Sequence, residues 1–453
     1  MNAFPRSGFA RRWLGVAGWL AALPALAAEP ATVREAFKDA FLIGTAVGPN
    51  QLADPASPAA TLILREFNAI TPENAMKMGP LHPRPGNGPE SYDFTAADAI
   101  VGFAAKHGLK MIGHTLCWHS QMPRWMSEPE PGQTELTKDV LKTRLRDHIM
   151  TVAGRYKGRI HGWDVVNEAI EDGAGDYRQS VFYRVIGKEY LALAFKWAAE
   201  ADPGAELYYN DYNLDANDRK RATALELVAY LRAQGCRIDG VGLQGHYNLT
   251  TPTVAKIDET IRLFAALGVK VHITELDVTA IRGPSVSGAV GFAPGQRPFP
   301  TIDELKTKLE LTEAQVAEIA PLVATTSKDI QEAAAGSDFQ KVGQLRTAGA
   351  AAIRARLTEA QQTTFAGLVA PPNAGRGRGG PLPPLSAEDA QAQARRYAEI
   401  FEVFWNHRAV IERVTFWGVR DSDSWRRQFH PLIFDAAYGR KPAYDAILSL
   451  PRP

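Results

Sequence analysis

Runs rich in Val, Ile and aromatic residues alternate eight times with segments of helical period, and that alternation limits what the chain can fold into more than any other feature. Strands are predicted at 41–47, 69–74, 110–116, 160–168, 206–211, 240–246, 270–277 and 413–419. Stretches such as 184–200, 219–234 and 256–267 carry apolar residues at i, i+3 and i+4 and read as helices. Eight strand–helix units suffice to close a parallel sheet on itself, so the expected fold class is α/β, a (β/α)8 TIM barrel. An open doubly wound sheet competes less well, because no glycine-rich fingerprint follows the first strand.

One spacing does not fit a plain barrel. The seventh and eighth strands start at 270 and 413, and the segment 283–386 is read as an insertion after strand 7. It holds ten of the 30 prolines and none of the nine Trp and 13 Tyr residues. Its edges are Pro/Gly-rich and read as linkers. Within it LTEAQ occurs twice, at 311–315 and 357–361, each a Thr followed three residues later by Gln, the pattern of a helix-capping box. The segment is therefore expected to be mainly helical. The paired strings resemble those of periplasmic stress proteins of the LTxxQ type and fit two ordinary helix caps equally well.

The N-terminus carries Arg6, Arg11 and Arg12 ahead of the apolar run at 13–27, which ends in Ala25-Leu26-Ala27. That is the layout of a cleaved secretory signal, so the product is expected to be secreted or periplasmic. The expected organisation is a signal peptide at 1–27, strands 1–7 at 28–282, the insertion at 283–386, and the last barrel helix, strand 8 and a C-terminal helix at 387–453. A net charge of +1 gives no electrostatic footprint for nucleic acid, and no later apolar run is long enough to span a membrane. A monomer is expected. Cys117 and Cys236 lie in or beside apolar runs and read as buried free thiols.

In barrels of this kind the reactive groups sit at the carboxyl ends of the strands. Those ends offer Glu73, Asn74 and Lys77 on strand 2, and His114, Trp118 and His119 on strand 3. Asn167 and Glu168 end strand 4, Gln244 and His246 strand 6, and Glu275 and Asp277 strand 7; strand 8 brings Trp417, followed by Trp425 and Arg426. Indole rings beside amides, imidazoles and carboxylates describe a cleft for sugars. Two glutamates that each end an apolar strand fit glycoside hydrolysis, in which one carboxylic acid protonates the departing oxygen and the other carboxylate attacks the anomeric carbon. His114 and His119, five apart, match no metal motif, and no metal or cofactor is expected. Trp163 and Trp197 read as core, whereas Tyr208 and Tyr209 fit core and cleft equally well.

The stretches TPENAMK (71–77), GHTLCWHSQMP (113–123), WDVVNEA (163–169), GLQGHYN (242–248), ITELDV (273–278) and VTFWGVRDSDSW (414–425) occur in one order across the barrel. Together they resemble the family 10 endo-β-1,4-xylanases, retaining glycosidases built on a (β/α)8 barrel. The resemblance implies Glu168 as general acid/base, Glu275 as nucleophile, and xylan and xylo-oligosaccharides as substrates. It implies that Asn167 binds the sugar 2-hydroxyl and that His246 and Asp277 orient the nucleophile. Glu73, Asn74, Lys77, His114, Trp118, Gln244, Trp417 and Trp425 correspond to glycone contacts. A non-catalytic carbohydrate-binding barrel is the competing function; it would lack one of the two glutamates, and both are present.

Overall fold

The computed structural model describes, besides Met1, residues 32–281, 299–335, 339–369 and 384–451. The segment read as a secretory signal and the Pro/Gly-rich linkers lie mostly outside these residues. Eight parallel strands form the barrel: β1 Leu42–Val47, β2 Ala69–Pro72, β3 Lys110–Trp118, β4 Gly162–Asn167, β5 Glu206–Asp211, β6 Gly240–Leu243, β7 Lys270–Val278 and β8 Ile411–Phe416. Each pairs with its sequence neighbour, and β8 pairs with β1, so the ring is closed. Closure removes both sheet edges and leaves every strand hydrogen-bonded on two sides.

Strands β1 to β8 are almost wholly buried, because helices cover their outer face and side chains fill the interior. The outer layer shows how helices form and dock. Residues Thr95–His107 end at Gly108 in the left-handed conformation, and Asp218–Ala233 start from Asn217, whose side chain accepts from the amides of Arg219 and Lys220. Two strand glycines are required by close approach. A Cβ on Gly113 would lie 2.1 Å from the Trp163 ring, and one on Gly162 would lie 2.1 Å from the Tyr208 hydroxyl. The glycine of GHTL is thus steric, not chemical. Trp163, Tyr208 and Tyr209 are core residues, Trp197 packs partly buried against the core, and both cysteines are buried free thiols.

Strand β6 differs from its expected span. It stops at Leu243, Gly245 takes a positive φ, and only His246–Tyr247 resumes pairing, against Asp277 and Val278. Were the strand to continue regularly, Gln244 and His246 would share one orientation. The break instead lets each meet a different carboxylate.

The described part of the insertion is helical, with helices at Ile302–Leu309, Glu313–Ala335, Phe339–Arg354 and Glu359–Val369. It has an apolar core of its own, including Leu305, Leu309, Ile319, Val323, Ile353 and Phe365, separate from the barrel core. Both LTEAQ strings form capping boxes. The Thr312 amide donates to Gln315 Oε1 (3.1 Å) and the Gln315 amide to Thr312 Oγ1 (3.2 Å); Thr358 and Gln361 repeat this at 3.0 and 3.4 Å. The two boxes also join, since Gln315 Nε2 donates to Gln361 Oε1 at 2.8 Å.

A separate core predicts separate folding. Replacing 284–385 by a short Gly/Ser link should leave a barrel with a cooperative thermal transition and an unchanged near-ultraviolet dichroism per aromatic residue. A non-cooperative melt would show that the segment is integral to the barrel.

Candidate active site

The carboxyl rim gathers its polar groups around two glutamates. Glu168, one residue past β4, lies in the left-handed region (φ 56°), and its amide donates to the Asn210 carbonyl at 2.9 Å. Its carboxylate accepts from Gln244 Nε2 (3.0 Å) and Trp118 Nε1 (2.9 Å). Glu275, within β7, accepts from Asn210 Nδ2 (2.9 Å), and its other oxygen lies 3.2 Å from His246 Nε2. The Glu275 amide donates to the Gln244 carbonyl at 2.7 Å, which fixes the β6–β7 register at the rim. The side-chain amide of Asn167 lies 2.9 Å from the side-chain nitrogen of Asn210 and 3.4 Å from that of Gln244. Strands β3 to β7 therefore meet in one hydrogen-bonded layer in which each glutamate has its own donors.

Behind Glu275 runs a chain of charges. His246 Nδ1 lies 3.0 Å from Asp277 Oδ2, and Asp277 also takes Trp425 Nε1 (3.1 Å) and the Arg426 guanidinium. Burial disfavours the His246 cation, but the carboxylates of Asp277 and Glu275 outweigh it and push its pKa up to about 9. Burial likewise disfavours the Asp277 anion, and Arg426 and His246 outweigh that, holding its carboxyl below the usual range. His246 therefore presents an N–H on each side.

Lys77 is buried and hydrogen-bonds Asn74 Oδ1 (3.0 Å), with its ammonium 4.9 Å from the Trp118 ring centre. Burial lowers its pKa, against the opposing pull of Glu275, Glu73 and Glu168. It is not the solvated surface lysine that composition alone would suggest. His114 Nδ1 lies 2.9 Å from Asp164 Oδ2, both deeply buried, and its ring meets Trp417 edge-on at 5.3 Å. Trp425 meets His246 edge-on at 5.1 Å. Glu73 is partly buried and Asn74 exposed at the end of β2.

His119 is not drawn into the carboxylate layer. It packs edge-on to Trp118, its Nδ1 has no protein partner among the described residues, and burial, with Arg178 and Lys220 nearby, pushes its pKa well below the usual value. Asn210, Asp164 and Arg178 belong to the assembly and were not among the candidate residues. The strand-end position of Asn210 in ELYYND was a usable signal; Asp164 sits inside a buried strand, and Arg178 in an irregular loop, where spacing says nothing. At the opposite mouth of the barrel, His161, Glu206 and Glu412 are close enough to share a cation. The Lys270 ammonium already contacts both carboxylates there, with 2.6 Å to Glu412.

A pH test follows from His246. Because its pKa is raised on folding, its stabilising contribution is complete below about pH 6.5 and fades as pH rises through about 9. The gap in urea-unfolding free energy between the protein and His246→Ala should be wide at pH 6 and narrow at pH 9.5. A gap that does not depend on pH would remove the charged-imidazole assignment.

The model of Glycosyl hydrolase family 10 matches residues 32–326 and 373–450. The match thus reaches into the inserted segment, further than the barrel motifs alone. The chain is 32% identical over 435 residues to endo-1,4-beta-xylanase A of Xylanibacter ruminicola, covering 94% of this chain and 95% of that one. It is 31% identical to endo-1,4-beta-xylanase B of Paenibacillus barcinonensis, with 93% and 99% covered. Among solved structures, a family 10 endoxylanase from a sugarcane soil metagenome superimposes with a TM-score of 0.67 at 33% identity, covering 92% of this chain and 98% of that one. Barrel, rim chemistry and relatives agree: the chain belongs to glycosyl hydrolase family 10.

Proposed function

We propose that the protein is an exported endo-1,4-β-xylanase that cleaves internal xylosidic bonds of xylan with retention, Glu275 acting as nucleophile and Glu168 as general acid/base. The observation that carries this reading is the separate seating of the two carboxylates on β4 and β7, joined through Asn210. In the first step a Glu275 oxygen attacks the anomeric carbon while Glu168 gives its proton to the departing oxygen. In the second, Glu168 takes a proton from water, which attacks the same carbon and releases Glu275. His246 offers an N–H to Glu275 Oε2, so that this oxygen stays an acceptor, and Asn210 holds the other oxygen. In this reading Asn167, beside Glu168, meets the sugar 2-hydroxyl, and Trp118, Trp417 and Trp425 supply apolar surface for pyranose rings. Export rests on the arginines and apolar run before residue 28. A monomer is part of the same reading.

Glu275→Ala should remove nearly all turnover of xylan. Glu168→Ala should slow substrates with poor leaving groups far more than activated aryl xylobiosides, and azide should restore part of its rate on the latter, giving β-xylobiosyl azide. Equal losses on good and poor leaving groups would reverse or void the assignment. Proton NMR of the first product should show the β-anomer; an α-anomer would exclude retention.

A further inference from the structure

Glu168 has a side chain, yet its backbone is in the left-handed region (φ 56°), where the Cβ of a non-glycine residue crowds the following carbonyl. Such a conformation persists only where its surroundings over-determine it. One clamp is the amide bond to the Asn210 carbonyl. The other is Arg178, whose Nε donates to the Glu168 carbonyl at 2.9 Å. The same guanidinium donates through Nη2 to the Ile170 carbonyl (3.1 Å) and to the Tyr212 hydroxyl (3.0 Å), and the Arg178 amide donates to the Ala169 carbonyl at 2.8 Å. One side chain thus ties the turn 168–170 to the residue that follows β5.

The far end of this tie is also fixed. The Lys220 ammonium stands 3.4 Å from the centre of the Tyr212 ring and pairs with Asp211 (2.9 Å) and Asp172 (3.0 Å), fully buried. A guanidinium can hold two carbonyls and a hydroxyl in one plane; an ammonium cannot reproduce that fork.

We infer that Arg178 is a positioning residue for the general acid/base: by clamping the Glu168 carbonyl it holds the left-handed turn that aims the Glu168 carboxyl at the departing oxygen. This rests on the acid/base role proposed above. If the clamp is released, the turn relaxes toward ordinary backbone angles, and the carboxyl leaves its seat against Gln244 and Trp118. Proton delivery then fails while nucleophilic attack by Glu275 does not.

The test measures kcat/KM, which reports the bond-breaking first step and not the later hydrolysis that also uses Glu168, for a series of aryl β-xylobiosides, from phenyl to 2,4-dinitrophenyl, in Arg178→Met, Arg178→Lys and Tyr212→Phe, with Glu168→Ala alongside. Arg178→Met should lose on the order of 100-fold on the phenyl substrate, as expected for a displaced catalytic group, and little on the dinitrophenyl one, which needs little protonation. Arg178→Lys should fall between it and the parent, and Tyr212→Phe should lose less in the same direction. If the folded variants lose equally on all leaving groups, or lose nothing, the inference is overturned. Should Arg178→Met not fold, the Lys and Phe variants decide by the same criterion. If Glu168→Ala itself shows no leaving-group dependence, it is the acid/base assignment that fails, not only the clamp.

Discussion

Everything at the rim depends on closure of the ring, and closure depends on β8. That strand is supplied from beyond the insertion, yet it registers with β1 through Leu42–Arg413 to Thr45–Phe416 and with β7 on its other side. Without it β1 and β7 would both be open edges, and the cleft would lose Trp417, Trp425 and Arg426 together. A parallel strand arriving from far along the chain carries a loop-closure cost that grows only slowly with length. A long excursion with its own core is therefore compatible with a closed barrel.

Closure also forces polar groups together, and the interior answers by pairing them. Buried charge is costly unless partnered. At the rim, Asp277 is shared by His246, Arg426 and Trp425. On the β5 side Lys220 serves Asp211 and Asp172, and burial pushes Asp211 up to about 6 even though Lys220 opposes it, with Glu168 adding to the rise. At the opposite mouth Lys270 serves Glu206 and Glu412. The glutamates proposed to do chemistry are held mainly by side-chain amides and an indole, with the His246 imidazolium beside Glu275 as their one directly hydrogen-bonded cation among the described residues.

The insertion is held by a different logic. Its capping glutamines face each other, so the start of one helix is tied to the start of another, 46 residues on, by Gln315 and Gln361. A local sequence signal at each helix start is thereby turned into a tertiary contact.

How much of this was legible beforehand follows from the range of the forces involved. Period-2 and period-3.6 hydrophobicity report burial along one segment, so the sequence by itself determined eight strand–helix units, a barrel, a helical insertion, and the rim positions of Glu168, Glu275, Gln244, His246 and Asp277. It also located the two LTEAQ caps, because a capping box spans only four residues. What only the tertiary structure decided was which groups share a hydrogen bond. Asn210 joins Glu275 to the Asn167–Glu168 turn, Arg178 reaches the Glu168 carbonyl from a loop, and Asp164 rather than a rim carboxylate meets His114. His119 shared the strand-end reading of His114, yet it packs against Trp118 with its Nδ1 unpartnered among the described residues. Strand ends place a residue at the rim to within its turn of backbone. A hydrogen bond needs placement within a few tenths of an ångström, and that comes from the break after Leu243, the left-handed turn at Glu168 and the packing of neighbouring strands, none of which leaves a periodic trace in the chain.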